Sequence, residues 1–273
     1  MWNGDELDLD AYLARIGYTG ELAPDLGTLY AVHRAHTAAI PFESLDVLLG
    51  RPIALDVKSL ENKLVRSSRG GYCYEHNSLL AAALQRIGFE VAGRGARNRT
   101  RGDAVMPVTH AALVVTVGGE PYLADCGFGA NGLLEPLPLH AGAEAAQGRW
   151  RFALAEEAEG VLVLRSRRDG EEWRDLYAFS PQRLYPVDFG VMNHYSSTHP
   201  ASFFTGRLTA MRPGAEERVA VVQNELVRFR PEGTDERHSV TPDELLGLLD
   251  REFGIRLPVR DAEQLLCTYR SED

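Results

Sequence analysis

The hydrophobic period of the chain changes near Gly88, which limits it to folds that join a helical part to a strand-rich part. Upstream, Leu9, Tyr12, Leu13 and Ile16 recur at helical spacing, with Asp8 placed to cap and Gly17 to stop the helix. Pro24 is expected to open a second helix with Leu26, Leu29, Tyr30 and His33 on one face. A third follows His76-Asn77, where Leu79, Leu80, Ala83, Leu84 and Ile87 lead to Gly88. From Glu90 to about Asp188 the pattern turns to short strand-like runs: Ala111 to Val117, Tyr122 to Ala124, Trp150 to Leu154 and Val161 to Arg165. The last part mixes strands at Val219 to Val222 and Glu225 to Phe229 with a final helix, Thr241 to Phe253. Its Thr-Pro-Asp-Glu start supplies a cap, a first-turn proline and early carboxylates. These breaks define three parts, residues 1–88, 89–190 and 191–273, of an α+β chain.

Composition narrows the partners. With 44% hydrophobic and 25% charged residues over 273 positions, the chain is globular rather than disordered or fibrous. Acidic residues outnumber basic ones 39 to 29, so a nucleic-acid partner is disfavoured. The longest apolar runs fall far short of the roughly 20 residues that span a bilayer. Met1 to Asp10 lacks the basic and apolar regions of a signal peptide. Three cysteines do not make a secreted disulfide scaffold. The expectation is a reduced, cytoplasmic protein without membrane partners. No interface is recognisable, so a homo-oligomer stays open.

The densest chemical signal is Arg69-Gly70-Gly71-Tyr72-Cys73-Tyr74-Glu75-His76-Asn77, leading directly into an apolar helix. Two glycines permit a sharp turn and close approach to a ligand. A cysteine at a helix start sits in positive dipole potential, which favours thiolate. The plain alternative is a small buried hydrophobe.

A thiol nucleophile needs a base, and the base needs an orienting group. His110 heads the strongest strand, and the returning strand carries Asp125. If Gly118-Gly119 is a two-residue hairpin loop, Val117 faces Glu120, His110 falls opposite Gly127 and Asp125 opposite Ala112. His110 and Asp125 are then diagonal neighbours on one face, about 7–8 Å apart and close enough for one hydrogen bond. Gly127 leaves room for the ring or a substrate. The other histidines, His33 and His36 among them, show no clear partner in sequence. A zinc site of Cys73, His76, His110 and Cys126 is a rival, but alternation turns Cys126 away from the His110–Asp125 face. Cys267 is read as structural or exposed.

These residues resemble the arylamine N-acetyltransferase family. Arg69 to Cys73, with Glu75 and Asn77, resembles its nucleophile motif, and Pro41-Phe42-Glu43-Ser44-Leu45-Asp46 its upstream Pro-Phe-Glu-Asn-Leu segment, with Ser44 for Asn. Thr109-His110, Tyr122 to Gly129 and Asn193 to Phe203 resemble further blocks in the family's order. His76 stands where many relatives have Gln, and Cys126 where Val is frequent. The resemblance implies a helical first domain, a β-barrel second domain and an α/β lid, with a thiol-protease-like core. It implies ping-pong transfer from acetyl-CoA, a donor substrate rather than a bound cofactor, to an arylamine or arylhydrazine. Cys73 would carry the acetyl group, His110 the proton, and Asp125 would orient His110. Phe42, Phe128 and Tyr72 would border the acceptor, and Thr109 the donor. For the CoA phosphates, two candidates are the arginine segment holding Arg97 and Arg99, and exposed amides of the Gly127 to Gly132 loop, notably Gly127 and Gly129. A cysteine hydrolase or amidase built on the same triad, and a non-catalytic metal-held binding module, are the alternatives.

Overall fold

The computed structural model describes residues 1–102, 104–231 and 233–270. The first part of the chain forms the α-helices α1 (Leu9–Ile16), α2 (Leu26–Ala39), α3 (Leu45–Leu48), α4 (Val57–Leu60) and α5 (Cys73–Ile87). Asp8 accepts the Ala11 N–H at the start of α1, and Gly17, at φ 71°, ends it. The second helix starts two residues later than Pro24 suggested. Asp25 is the cap, accepting the Thr28 N–H at 2.8 Å, because a carboxylate can satisfy a first-turn donor and Pro24 cannot. Helix α5 is buried on every side from Cys73 to Leu84 and forms the axis of the first core.

Between α1 and α5 the chain also forms a two-residue strand, β1 (Phe42–Glu43). The middle of the chain forms β2 (Glu90–Asn98), β3 (Val108–Val117), β4 (Glu120–Ala124), β5 (Leu137–Pro138), β6 (Glu144–Gln147), β7 (Trp150–Glu156), β8 (Leu162–Arg168) and β9 (Arg174–Phe179). They make one antiparallel sheet, in the order β5-β4-β3-β2-β9-β8-β7-β6, curled into a nearly closed barrel. Gly118 and Gly119, at φ 59° and 89°, are the hairpin loop, and the pairs run from Val117↔Glu120 to Leu113↔Ala124 as expected. Strand β3 is buried on both faces. Ala111, Leu113 and Val115 pack on the helical core, while Ala112 packs in the barrel with Leu123, Phe152 and Tyr177.

The remainder comprises α6 (Pro186–Thr198), β10 (Thr209–Arg212), β11 (Arg218–Val222), β12 (Glu225–Phe229), β13 (Glu236–Ser239), α7 (Pro242–Phe253) and α8 (Val259–Arg270). The helix read as final is followed by another, α8, which buries Leu265 and Tyr269 against α7 and the sheet. Residue 190 lies inside α6. The C-terminal sheet recruits β1 from the first part of the chain: its order is β1-β10-β11-β12-β13, with Phe42 opposite Met211 and Glu43 opposite Ala210. Among the described residues no helix is long and apolar enough to cross a membrane.

Candidate active site

Cys73 is the first residue of α5, at the positive end of the helix. A buried charge network shapes the segment before it. Arg69 pairs with Glu43 at 2.7 Å and Asp46 at 3.0 Å, and Lys63 pairs with Asp46 and Glu75, each at 2.7 Å. Glu75 also accepts the Tyr72 N–H at 3.1 Å, tying the helix start to that network. Burial pushes the Glu75 carboxyl up, against the opposing pull of Lys63. Gly70 is needed for space: a Cβ there would stand 1.8 Å from the Pro41 carbonyl oxygen.

The candidate base, His110, is held from behind. His110 Nε2 lies 2.7 Å from Asp125 Oδ2, and that carboxylate is fully buried. Asp125 Oδ1 accepts from Asn77 Nδ2 at 2.9 Å and from the Gly127 N–H at 2.8 Å. Burial alone would raise the Asp125 pKa, but the His110 charge and these donors hold it below the usual carboxylate value. Burial alone would likewise lower His110. Asp125 and, to a smaller extent, Cys73 override it and raise the imidazole to about 10. With Nε2 committed to Asp125, Nδ1 is the nitrogen left for Cys73, whose Sγ is 3.9 Å from the Thr109 carbonyl oxygen.

Cys73 and His110 share a cavity of about 230 Å³ with Thr109, Gly127, Phe42 and Phe128. Phe203 and Phe204 complete an aromatic wall, and the Phe128 ring meets the edge of His110 at 4.9 Å between centroids. A Cβ on Gly127 would stand 2.6 Å from Cys73 Cα, so the loop after Asp125 and the start of α5 touch backbone to backbone. Other sequence candidates lie apart from the cavity wall. Tyr72 is buried behind Phe204, with its hydroxyl on Asn193. Gly129, at φ 77°, backs onto Met211. Arg97 donates to the Met106 carbonyl oxygen, and Arg99 pairs with Glu157 and borders a second cavity.

Asn77 is the residue that the sequence reading left without a role. It stands four residues after Cys73, hence on the same helix face, and that spacing was the available signal. Phe204 and Tyr177, whose ring lies 4.7 Å from His110, gave no comparable signal because long-range packing brings them in.

The rival zinc set does not converge. Cys126 turns to the helical side, where its thiol accepts from Thr37 at 3.2 Å. His76 is engaged by His36 Nε2 at 2.9 Å and by the Pro41 carbonyl oxygen at 3.1 Å. His33 and His36, which have no clear partner in sequence, are buried and bonded. His33 Nδ1 donates to the Leu134 carbonyl oxygen, Nε2 accepts the Asp125 N–H, and His36 Nδ1 accepts from Tyr12. The carbonyl acceptors fix the tautomers as neutral, and burial lowers all three, His33 and His76 to about 4. Cys267 is exposed.

A family model described as N-acetyltransferase matches residues 25–262, which places the chain among the acyltransferases. It is 38% identical over 258 residues to the arylamine N-acetyltransferase of Mycolicibacterium smegmatis, covering 92% of this chain and 93% of that one. The Nocardia farcinica arylamine N-acetyltransferase crystal structure superposes with a TM-score of 0.91 at 43% identity, covering 97% of this chain and 95% of that one. The Mycobacterium marinum arylamine N-acetyltransferase in complex with CoA superposes at 0.90 and 34% identity, covering 97% and 99%. The chain belongs to the arylamine N-acetyltransferase family.

Proposed function

We propose that the protein transfers an acetyl group from acetyl-CoA to an arylamine or arylhydrazine through a thioester on Cys73. The observation that carries this reading is the division of labour at His110: Nε2 is taken by buried Asp125, so Nδ1 is left to the thiol in an aromatic-walled cavity. In the first half-reaction the thiol's proton resides on His110, which Asp125 keeps protonated, and Sγ adds as the thiolate to the thioester carbonyl. The first-turn N–H groups of α5 have no intrahelical acceptor and stand ready for the oxyanion. The carbon–sulfur bond to CoA then breaks, and His110 returns its proton to the departing sulfur. One thioester replaces another, so the exchange is nearly isoenergetic.

In the second half-reaction the amine nitrogen attacks acetyl-Cys73, Sγ leaves, and the nitrogen's surplus proton passes to the Cys73–His110 pair. An aromatic amine is neutral at pH 7 and can attack directly. Phe42, Phe128 and Phe204 offer it flat apolar faces, which favour stacking rings over water. Intact mass spectrometry after mixing with acetyl-CoA tests the proposal. One acetyl mass on the wild type, absent in Cys73→Ala and discharged by an arylamine, is expected. No adduct, or the same adduct in Cys73→Ala, sinks it. Discharge by water as fast as by amine would make the protein a hydrolase instead.

A further inference from the structure

A second cavity, of about 300 Å³, adjoins the first and shares Thr100 and Asn131 with it. It lies where β7 and β8 of the barrel meet β11 of the C-terminal sheet, and five arginines border it against two carboxylates, Glu171 and Asp175. Arg218, the first residue of β11, is only 2% exposed there. Its guanidinium stacks on Trp150 at 3.6 Å, and Nη1 donates to Asn131 Oδ1 at 3.1 Å. Among the described residues no carboxylate pairs with it, and its Nε and Nη2 have no partner. Its neighbour Arg168, also buried, is by contrast paired with Asp235 at 3.0 Å and Glu171 at 3.4 Å.

A buried cation without a counter-charge is costly, so a chain that keeps one has a use for it. The neighbouring atoms say which. Trp150, Ser166 and Arg167 line the same cavity, and their Nε1, Oγ and Nε atoms are likewise buried and unpartnered. Every orphan on this wall can donate, and the nitrogens cannot accept. Such a wall calls for a ligand of several acceptor oxygens and negative charge, and the planar fork of arginine matches phosphate oxygens in pairs. Burial and the nearby Arg168 lower the Arg218 pKa to about 9, which leaves it charged at neutral pH and short of an anion.

We propose that this second cavity is a phosphate-binding site, with Arg218 as its floor and Trp150, Ser166 and Arg167 as further donors. The phosphate has two sources: a phosphate of the acyl donor reaching across Thr100 and Asn131, or a free phosphate that binds independently. Only the first source rests on the acetyl-transfer reading above.

Arg218→Met distinguishes them, because it removes the charge and leaves an unbranched apolar side chain in the buried position. A donor phosphate predicts that kcat/KM for acetyl-CoA falls about tenfold further than kcat/KM for S-acetylpantetheine, which carries no phosphate. A free phosphate predicts no such difference, but predicts that inorganic phosphate or diphosphate, titrated calorimetrically into the wild type, binds about tenfold more weakly to Arg218→Met. If neither difference is seen, the proposal is overturned. Should Arg218→Met fail to fold, the double variant Ser166→Ala/Arg167→Gln carries the same two readings. Failure of Cys73 to acetylate would leave the phosphate titration intact, so the two proposals fail separately.

Discussion

Asn77 donates a 2.9 Å hydrogen bond to Asp125 from the second turn of the helix that begins with Cys73. One rigid element therefore carries the thiol and also anchors the carboxylate behind the imidazole. The amide is fully employed: Nδ2 also donates to the Ala111 carbonyl oxygen at 2.6 Å, and Oδ1 accepts the Cys126 N–H at 3.2 Å. It clamps β3, which carries His110, to the segment just after β4, which carries Asp125.

Asn77→Ala should accordingly cost about 3 kcal/mol of stability, because it strands buried backbone groups and strips a donor from a buried carboxylate. Its rate of acetyl-adduct formation should fall by about tenfold or more as His110 loses its fixed orientation. Urea unfolding and stopped mixing with acetyl-CoA measure the two effects. A variant with wild-type stability and rate would show that the amide positions nothing.

The buried histidines predict an acid limb in stability. Folded His33 and His76 are lowered to about 4 and His36 is lowered as well, while the unfolded chain titrates near 6.5. Below 6.5 the unfolded chain binds protons that the folded chain refuses, so their stabilising effect, complete above 6.5, is lost as pH falls toward 4. Each contributes up to about 1.4 kcal/mol per pH unit in that window. In His76→Gln the amide can accept from His36 and donate to the Pro41 carbonyl, reproducing both bonds without a titrating group. Its urea midpoint at pH 7 should stay near the wild type, and its loss between pH 6.5 and 4.5 should shrink by about a third. An unaltered acid limb would remove His76 from the account.

Gly127→Ala tests the backbone contact at the thiol. The new methyl would stand 2.6 Å from Cys73 Cα, an atom of the helix that cannot swing aside. The strain should cost about 1–3 kcal/mol and shift the loop away from α5. Acetyl-adduct formation should slow more than the fold weakens, read by mass spectrometry beside a urea titration. Adduct formation at the wild-type rate would mean that the loop has slack.

What could be read beforehand follows the range of the interactions. The apolar body of α5 and its Gly88 end are local and were legible, whereas the helix starts at Cys73, ahead of the His76-Asn77 pair from which the apolar pattern runs. So was the hairpin register, since two glycines set the pairing of Val117 with Glu120. That register ends at Leu113↔Ala124, one residue short of Asp125, and the final placement of the carboxylate depends on Asn77 and Gly127. Helix α6 escaped because its buried side includes Asn193 and Ser196, so no apolar stripe announces it. The partnership of β1 with β10 and the stranded charge of Arg218 join distant segments, which no local pattern encodes.

The shortest strand has the widest reach. Phe42 gives its side chain to the cavity, while its backbone is stitched to Met211 of the C-terminal sheet and bridged to Gly71 beside the thiol. Glu43, next along, is locked to Arg69. The last third of the chain is thus sewn into the wall of the Cys73 cavity. It cannot be exchanged as a cassette between relatives, or clipped off to leave a smaller working enzyme, without unpicking the seam that holds Phe42 in place.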